Sequence, residues 1–308
     1  MAGIDIGPDG SAYVAGTASI EGNGQALVVA KLDPWGNLAW TQEAFGWNED
    51  LPNWNEVIDL AVDGQGNVYV VGFDSNDYNQ GLFLWRLGPD GSTHYRIGFD
   101  RYSFYLDDVD GDAFGNAYLS GSTENTDLPN PTGPAPDSLN GFVMKISPEG
   151  SILWSAYLGG SMVDAAGDVA VAPDGSVAVT GVVSYDLPLL NPLQTERDDA
   201  FLVRLAPSGE PLSSTYLPVD SASDLEVTDA GIHMIVSDYE NVSSFRQSLD
   251  AVCGRFFLVT LDEHASRLED ATCLDSFEIP GDRYIPRMAA DSSGISLTGP
   301  ARAGMPVK

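Results

Sequence analysis

An aspartate recurs at Asp59, Asp108, Asp168 and Asp224, each seven residues before a turn glycine. Carboxylates that converge raise one another's pKa or recruit a cation, and a hard ion such as Ca2+ is the natural guest. Gly3 and Arg287 stand near the matching places in the first and last repeats. The same pattern suits an aspartate that caps a loop inside its own repeat. A second acidic run, DDVDGDAFGN over 107–116, resembles a calcium loop but lacks the EF-hand glycine and the glutamate at the twelfth place.

Two stretches carry aromatic side chains beside acids and amides. FGWNEDLPNWNE (45–56) has Trp47 and Trp54 next to Asp50, Asn53 and Asn55. FDRYSFYLDD (99–108) has Tyr102, Phe104 and Tyr105. Aromatic platforms of this kind suit the CH faces of sugar rings and equally suit a protein interface; the alternative is that they fold inward and fill the loop layer. No G-x-S-x-G elbow, H-E-x-x-H pair or Walker loop is present. The three histidines, His94, His233 and His264, are scattered.

Two cysteines occur, Cys253 and Cys273. A hairpin turning at DEHA (262–265) places them on facing strands within a residue of opposition, close enough for a disulfide. Such a bond points to an oxidising compartment.

These residues are positioned by a repeat. Aligned on a turn glycine, the chain reads DIGPDGSAYVAG, AVDGQGNVYVVG, DGDAFGNAYLSG, AVAPDGSVAVTG, EVTDAGIHMIVS and MAADSSGISLTG. A second turn lies between them: KLDPWGNLAW, RLGPDGSTHY, KISPEGSILW, RLAPSGEPLS and TLDEHASRLE. In four of these five, proline presets φ for a type I turn and glycine takes the left-handed place of a G1-bulge hairpin. Each unit is therefore two hairpins. NVYVV, GLFLWRL and AFLVRL are apolar on both faces, so these strands are covered on both sides. Four strands per 50–60 residues, stacked face to face, is the arithmetic of a β-propeller.

The expected fold is an all-β propeller of four-stranded blades, six-bladed with the last blade incomplete. Blades fall at about 1–56, 57–106, 107–166, 167–222, 223–285 and 286–308. A strand from a protein partner or a neighbouring copy is expected to complete the last blade. Strand direction puts the D–A and B–C connections on one face and the short A–B and C–D turns on the other.

Formal net charge is −31, from 14 Lys+Arg against 45 Asp+Glu. Such a surface disfavours nucleic acid and anionic lipid and attracts cations and basic partners. No run of 18 apolar residues predicts a membrane span, and the first ten residues do not read as a signal peptide. Four of the basic residues, Lys31, Arg86, Lys145 and Arg204, repeat near the end of strand C. They are expected to pair with the A–B turn aspartates Asp9, Asp63, Asp112 and Asp174.

The stretch YLGGSMVDAAGDVAVAPDGSVAVTGVVSYDLPLLNPLQTERDDAFLVRLAPSGEPLSSTYL resembles the SBBP-type bacterial β-propeller repeat. The matching elements are YLGG, the D-x-G-x-x-x-V-T-G hairpin, the D-L-P loop, DAFLVRL and the closing STYL. The resemblance implies a bacterial, secreted or cell-surface propeller and no single activity. Together these readings predict a non-catalytic extracellular binding or structural module, part of a cell-surface or filamentous assembly. A carbohydrate-binding propeller using the aromatic long-loop face is the first alternative, and a polysaccharide lyase or glycosidase the second.

Overall fold

The computed structural model describes residues 3–20, 24–44, 54–75, 80–100, 103–132, 138–237, 256–274, 287–291 and 294–298. The described residues hold strands and turns and no helix. The chain divides into two compact units, 1–157 and 158–308.

The first unit holds three four-stranded sheets. Sheet one is β1 (Gly3–Ile6), β2 (Ala12–Ile20), β3 (Gly24–Leu32) and β4 (Leu38–Ala44). Sheet two is β5 (Trp54–Val62), β6 (Val68–Ser75), β7 (Gln80–Leu87) and β8 (Thr93–Asp100). Sheet three is β9 (Phe104–Gly111), β10 (Ala117–Thr123), β11 (Asn140–Ile146) and β12 (Ile152–Leu158), whose last residue falls past the unit boundary.

The second unit holds sheet four, β13 (Asp164–Val171), β14 (Val177–Val183), β15 (Ala200–Leu205) and β16 (Pro211–Leu217). Sheet five is β17 (Ser221–Thr228), β18 (Gly231–Ser237), β19 (Phe256–Leu261) and β20 (Leu268–Cys273). The sixth sheet pairs β21 (Arg287–Asp291) with β22 (Gly294–Thr298). Every four-stranded sheet is an antiparallel meander in chain order, the strand order of a propeller blade.

The two-sided apolar strands do what their composition requires. Tyr13, Leu27 and Val29 of sheet one pack with Val68, Val70 and Phe83 of sheet two. Val71 and Leu84, on the opposite face of sheet two, pack with Leu119, Phe142 and Met144 of sheet three. In the second unit, Leu202 and Leu217 of sheet four meet Met234 and Phe257 of sheet five. Fully burying each such side chain contributes about 1.5–3 kcal/mol, so the face-to-face stacks are the principal source of cohesion.

The turns match the expected chemistry. Gly91 has φ 81° and donates its N–H to Gly88 O at 2.9 Å, and the strands rejoin across a bulge at Arg86/Leu87. The DEHA hairpin differs. Ala265 takes the left-handed place at φ 56°, and Asp262 N–H reaches Arg267 O at 3.0 Å, one residue further than in the other repeats. That extra residue and the bulge at Thr260/Leu261 shift the register, so Phe257 stands opposite Cys273. Cys253, and with it the expected Cys253–Cys273 pairing, lies outside the described residues.

Candidate interaction face of the fourth sheet

The repeated aspartates sit half-buried at one recurring irregularity of strand A. The β5–β6 ladder shifts between Val57 and Asp59, β9–β10 shifts beside Asp108, and β13–β14 shifts between Ala166 and Val169, around Asp168. In β17 the shift falls on Asp224, at φ 55°. Opposite the first three bulges stand Gly72, Gly121 and Gly181. A Cβ at Gly121 would stand 1.9 Å from Tyr105 O, so only glycine fits against the bulged strand. The repeated Asp and the repeated Gly are thus two halves of one bulge.

One of these carboxylates, and Asp5 of the first sheet, also reach forward to the next sheet. Asp168 Oδ2 accepts the N–H of Asp224 at 2.6 Å, and Asp5 Oδ2 accepts the N–H of Val62 at 2.7 Å. Burial, with the charge of Asp59 adding to it, pushes Asp5 up to about 6. Among the described residues no group of three or more His, Cys, Asp or Glu side chains is placed to hold a metal ion.

The aromatic residues divide. Trp47 and Tyr102 lie outside the described residues, as does the side chain of Trp54, which opens β5. Phe104 is buried in the core, edge-on to Phe99 and Phe142 at 5.8 and 5.4 Å. Tyr105, the next residue along the strand, is exposed.

On the turn face the basic residues meet their partners. Lys31 Nζ lies 3.0 Å from Asp9 Oδ2, and Lys145 Nζ lies 3.4 Å from Asp112 Oδ2. Asp112 also receives Asn116 (2.7 Å) and the Tyr118 hydroxyl (3.0 Å). Burial raises the Asp112 carboxyl, but these hydrogen bonds outweigh it and hold the group below the usual range. Arg86 departs from the expected pairing. It donates to the Tyr69 hydroxyl (3.3 Å), to His94 Nδ1 (3.1 Å) and to Pro148 O of sheet three (3.0 Å), while Tyr69 donates to Asp63 (2.9 Å). In sheet five, His233 takes the tyrosine's place, between the hydroxyls of Thr228 and Thr260, each at 3.0 Å. This row is bonded to itself and, apart from exposed Asp9 and His94, at least partly buried, which makes it structural.

The long B–C connections of sheets three and four are shaped by the outer strand. Leu128 is buried, and its N–H donates to the Tyr157 hydroxyl (3.0 Å), which donates in turn to Asn125 O (3.0 Å). Leu187 N–H donates likewise to Tyr216 (2.9 Å). Ser155 Oγ donates to Pro129 O (2.6 Å), and Ser214 Oγ to Pro188 O. Main-chain bridges at Pro131–Ser155 and Leu190–Ser214 lay each loop along the outer strand, covering an edge that would otherwise stay open.

Where the loop of sheet four leaves β14 it forms a feature that the sequence reading missed. Met162, Val163, Val182 and Tyr185 are 51, 51, 44 and 59% exposed on the long-loop rim. The two connections that carry them are locked together. Buried Asp164 accepts the N–H of Gly160 (2.6 Å) through one oxygen and that of Ser184 (2.8 Å) through the other. Asp186 Oδ1 accepts both the N–H and the hydroxyl of Ser161 at 2.7 Å, and Ser184 Oγ donates to Val163 O. Burial and the nearby charge of Asp186 push Asp164 up; the Ser161 hydrogen bonds hold Asp186 down. Arg197 lies over the Tyr185 ring at 5.3 Å and donates to Ser184 O. The arrangement is a small apolar surface on a fixed frame, with a Tyr–Arg pair at its margin. Its signal in the sequence is SMVD after YLGG and the tyrosine before DLP.

No protein-family model matches the chain, and no curated protein matches it. Solved structures do. A variant of the Synechocystis apocarotenoid oxygenase is 11% identical over 96% of this chain and 63% of its own, with TM-score 0.46. The polysaccharide lyase Uly1 is 11% identical over 84% of this chain and 57% of its own, with TM-score 0.47. Regucalcin of Agrobacterium tumefaciens, described as a calcium-binding protein, is 12% identical over 83% of this chain and 88% of its own, with TM-score 0.40. The chain thus spans less than two thirds of the oxygenase and of the lyase.

At this identity the likeness concerns the fold alone. It corrects the expectation of a non-catalytic extracellular binding or structural module, with its glycan-binding and lyase or glycosidase alternatives. The similar structures include an oxygenase and a lyase; likeness at this level neither excludes catalysis nor assigns a reaction.

Proposed function

We propose that the chain recognises a protein partner through the long-loop rim of its fourth sheet. One observation carries this reading. Met162, Val163, Val182 and Tyr185 stay more than two-fifths exposed while the backbone beneath them is fixed by Asp164 and Asp186. Exposed apolar side chains grouped on one rim suit an interaction site, and tyrosine and arginine are the side chains that anchor such sites. The locked frame removes part of the ordering cost of association. Recognition at this rim neither requires nor precludes chemistry elsewhere on the chain.

The test is a photoreactive amino acid at position 185, with Phe114, exposed on the A–B turn of sheet three, as the control position. A discrete adduct is expected at 185 and none at 114. It should disappear when Met162→Asp and Val163→Asp are introduced together. Equal adducts at both positions, or none at 185 in the protein's own host, overturn the reading.

A further inference from the structure

We infer that the partner segment seated on this rim is cationic as well as apolar: an aliphatic side chain flanked by lysine or arginine. The inference rests on the reading above and adds the chemistry of the partner. It starts from the charges around the apolar patch. Asp186 is exposed, and the two Ser161 hydrogen bonds to Oδ1 keep it ionised. Among the described residues its Oδ2 accepts no hydrogen bond. Glu196 and Asp199 stand exposed on the same B–C connection.

Arg197 is the cation of that connection, and it is already engaged: its guanidinium lies on Tyr185 and donates to Ser184 O. The rim therefore offers apolar contact and open carboxylate, and its own cation is spent. The whole chain, at −31, adds a field of the same sign. An anionic or purely apolar segment would bury these carboxylates without a partner, which costs more than apolar contact returns. A cationic one meets them, and its approach is steered by the field.

The occupant is a basic, aliphatic polypeptide segment, and the probes copy that chemistry. A labelled peptide of alternating leucine and arginine is compared with one of alternating leucine and glutamate and one of alternating glycine and arginine, by fluorescence anisotropy on the full chain. The leucine–arginine peptide should bind and the leucine–glutamate peptide should not. Binding should fall about tenfold for Asp186→Asn with Glu196→Gln, about tenfold for Met162→Ser with Val163→Ser, and further as salt is raised. Asp186→Asn keeps a carbonyl acceptor for Ser161, and hydrogen exchange over 160–186 checks that the frame is intact.

If the glycine–arginine peptide binds as tightly, the attraction is the general acidity of the surface and the inference fails. Binding that ignores the charge variants and salt overturns it equally. Failure here is distinct from failure of the docking reading. An adduct at position 185 that excess leucine–arginine peptide does not displace leaves the docking surface standing and removes only its proposed chemistry.

Discussion

The Tyr216 hydroxyl accepts the N–H of Leu187 at 2.9 Å, twenty-nine residues back along the chain, and Tyr157 does the same for Leu128 at 3.0 Å. One phenol per sheet thus pins the long B–C connection to the outer strand. Tyr216 is buried, so Tyr216→Phe leaves the Leu187 amide without its acceptor. A loss of about 1–2 kcal/mol is expected. Limited proteolysis should show faster cutting within 184–199 and no change within 124–132, where Tyr157 still holds its loop.

Arg86 joins two sheets of the first unit through Tyr69, His94 and Pro148 O. It is buried, and its removal takes the donor from the Tyr69 hydroxyl, His94 Nδ1 and Pro148 O at once. Arg86→Ala should cost about 3 kcal/mol. Arg86→Lys should recover only part of that, because an ammonium cannot span three acceptors set around a planar fork. Urea unfolding followed by hydrogen exchange at the 147–151 turn would measure both.

Asp5 carries a pH dependence of unusual sign. Its carboxyl is raised from 3.8 to about 6 by burial, aided by Asp59, so the folded chain binds a proton between those values that the unfolded chain does not. From this group, stability rises as pH falls from about 6 towards 4 and is lowest above 6. Asp5→Asn should stabilise the first unit at pH 7 by on the order of 1–2 kcal/mol and have little effect near pH 4. Exchange of the Val62 amide, which donates to Asp5, reports it locally.

Much of the fold is legible because it rests on local chemistry. The turn glycines at φ near 80° and the two-sided apolar strands sit where spacing and composition place them. The tyrosine of YLGG and STYL is equally visible, although its role as a loop clasp needs the loop's path. What escapes is register. Asp168 and Gly181 lie thirteen residues apart and look like separate signals until the pairing shows one bulge between them. The hairpin after β19 is a second case, since one extra turn residue moves every partner above it and sets Phe257 opposite Cys273. The rim of sheet four is hidden more deeply. Nothing in SMVD distinguishes exposed Met162 and Val163 from core residues until Asp164 and Ser184 are seen to hold them outward.

His233 should give the second unit a pH dependence opposite to that of Asp5. Burial depresses its pKa below 6.5, and both ring nitrogens are engaged by Thr228 and Thr260, hydroxyls with no charge to offset an imidazolium. In the other four-stranded sheets this place holds a tyrosine or alanine beside an acid and a base; here the whole trio is neutral. The unfolded chain binds the proton first as pH falls, so the stability from this group is complete above about 6.5 and is lost below it. Amides of β18 should exchange faster at pH 5.5 than at pH 7.5, after correction for intrinsic rates. In His233→Gln, which keeps a donor and an acceptor without a titrating proton, that difference should vanish. A wild-type profile that is flat over this range would show that the ring finds a counter-charge on protonation, contrary to the geometry of the Thr–His–Thr row.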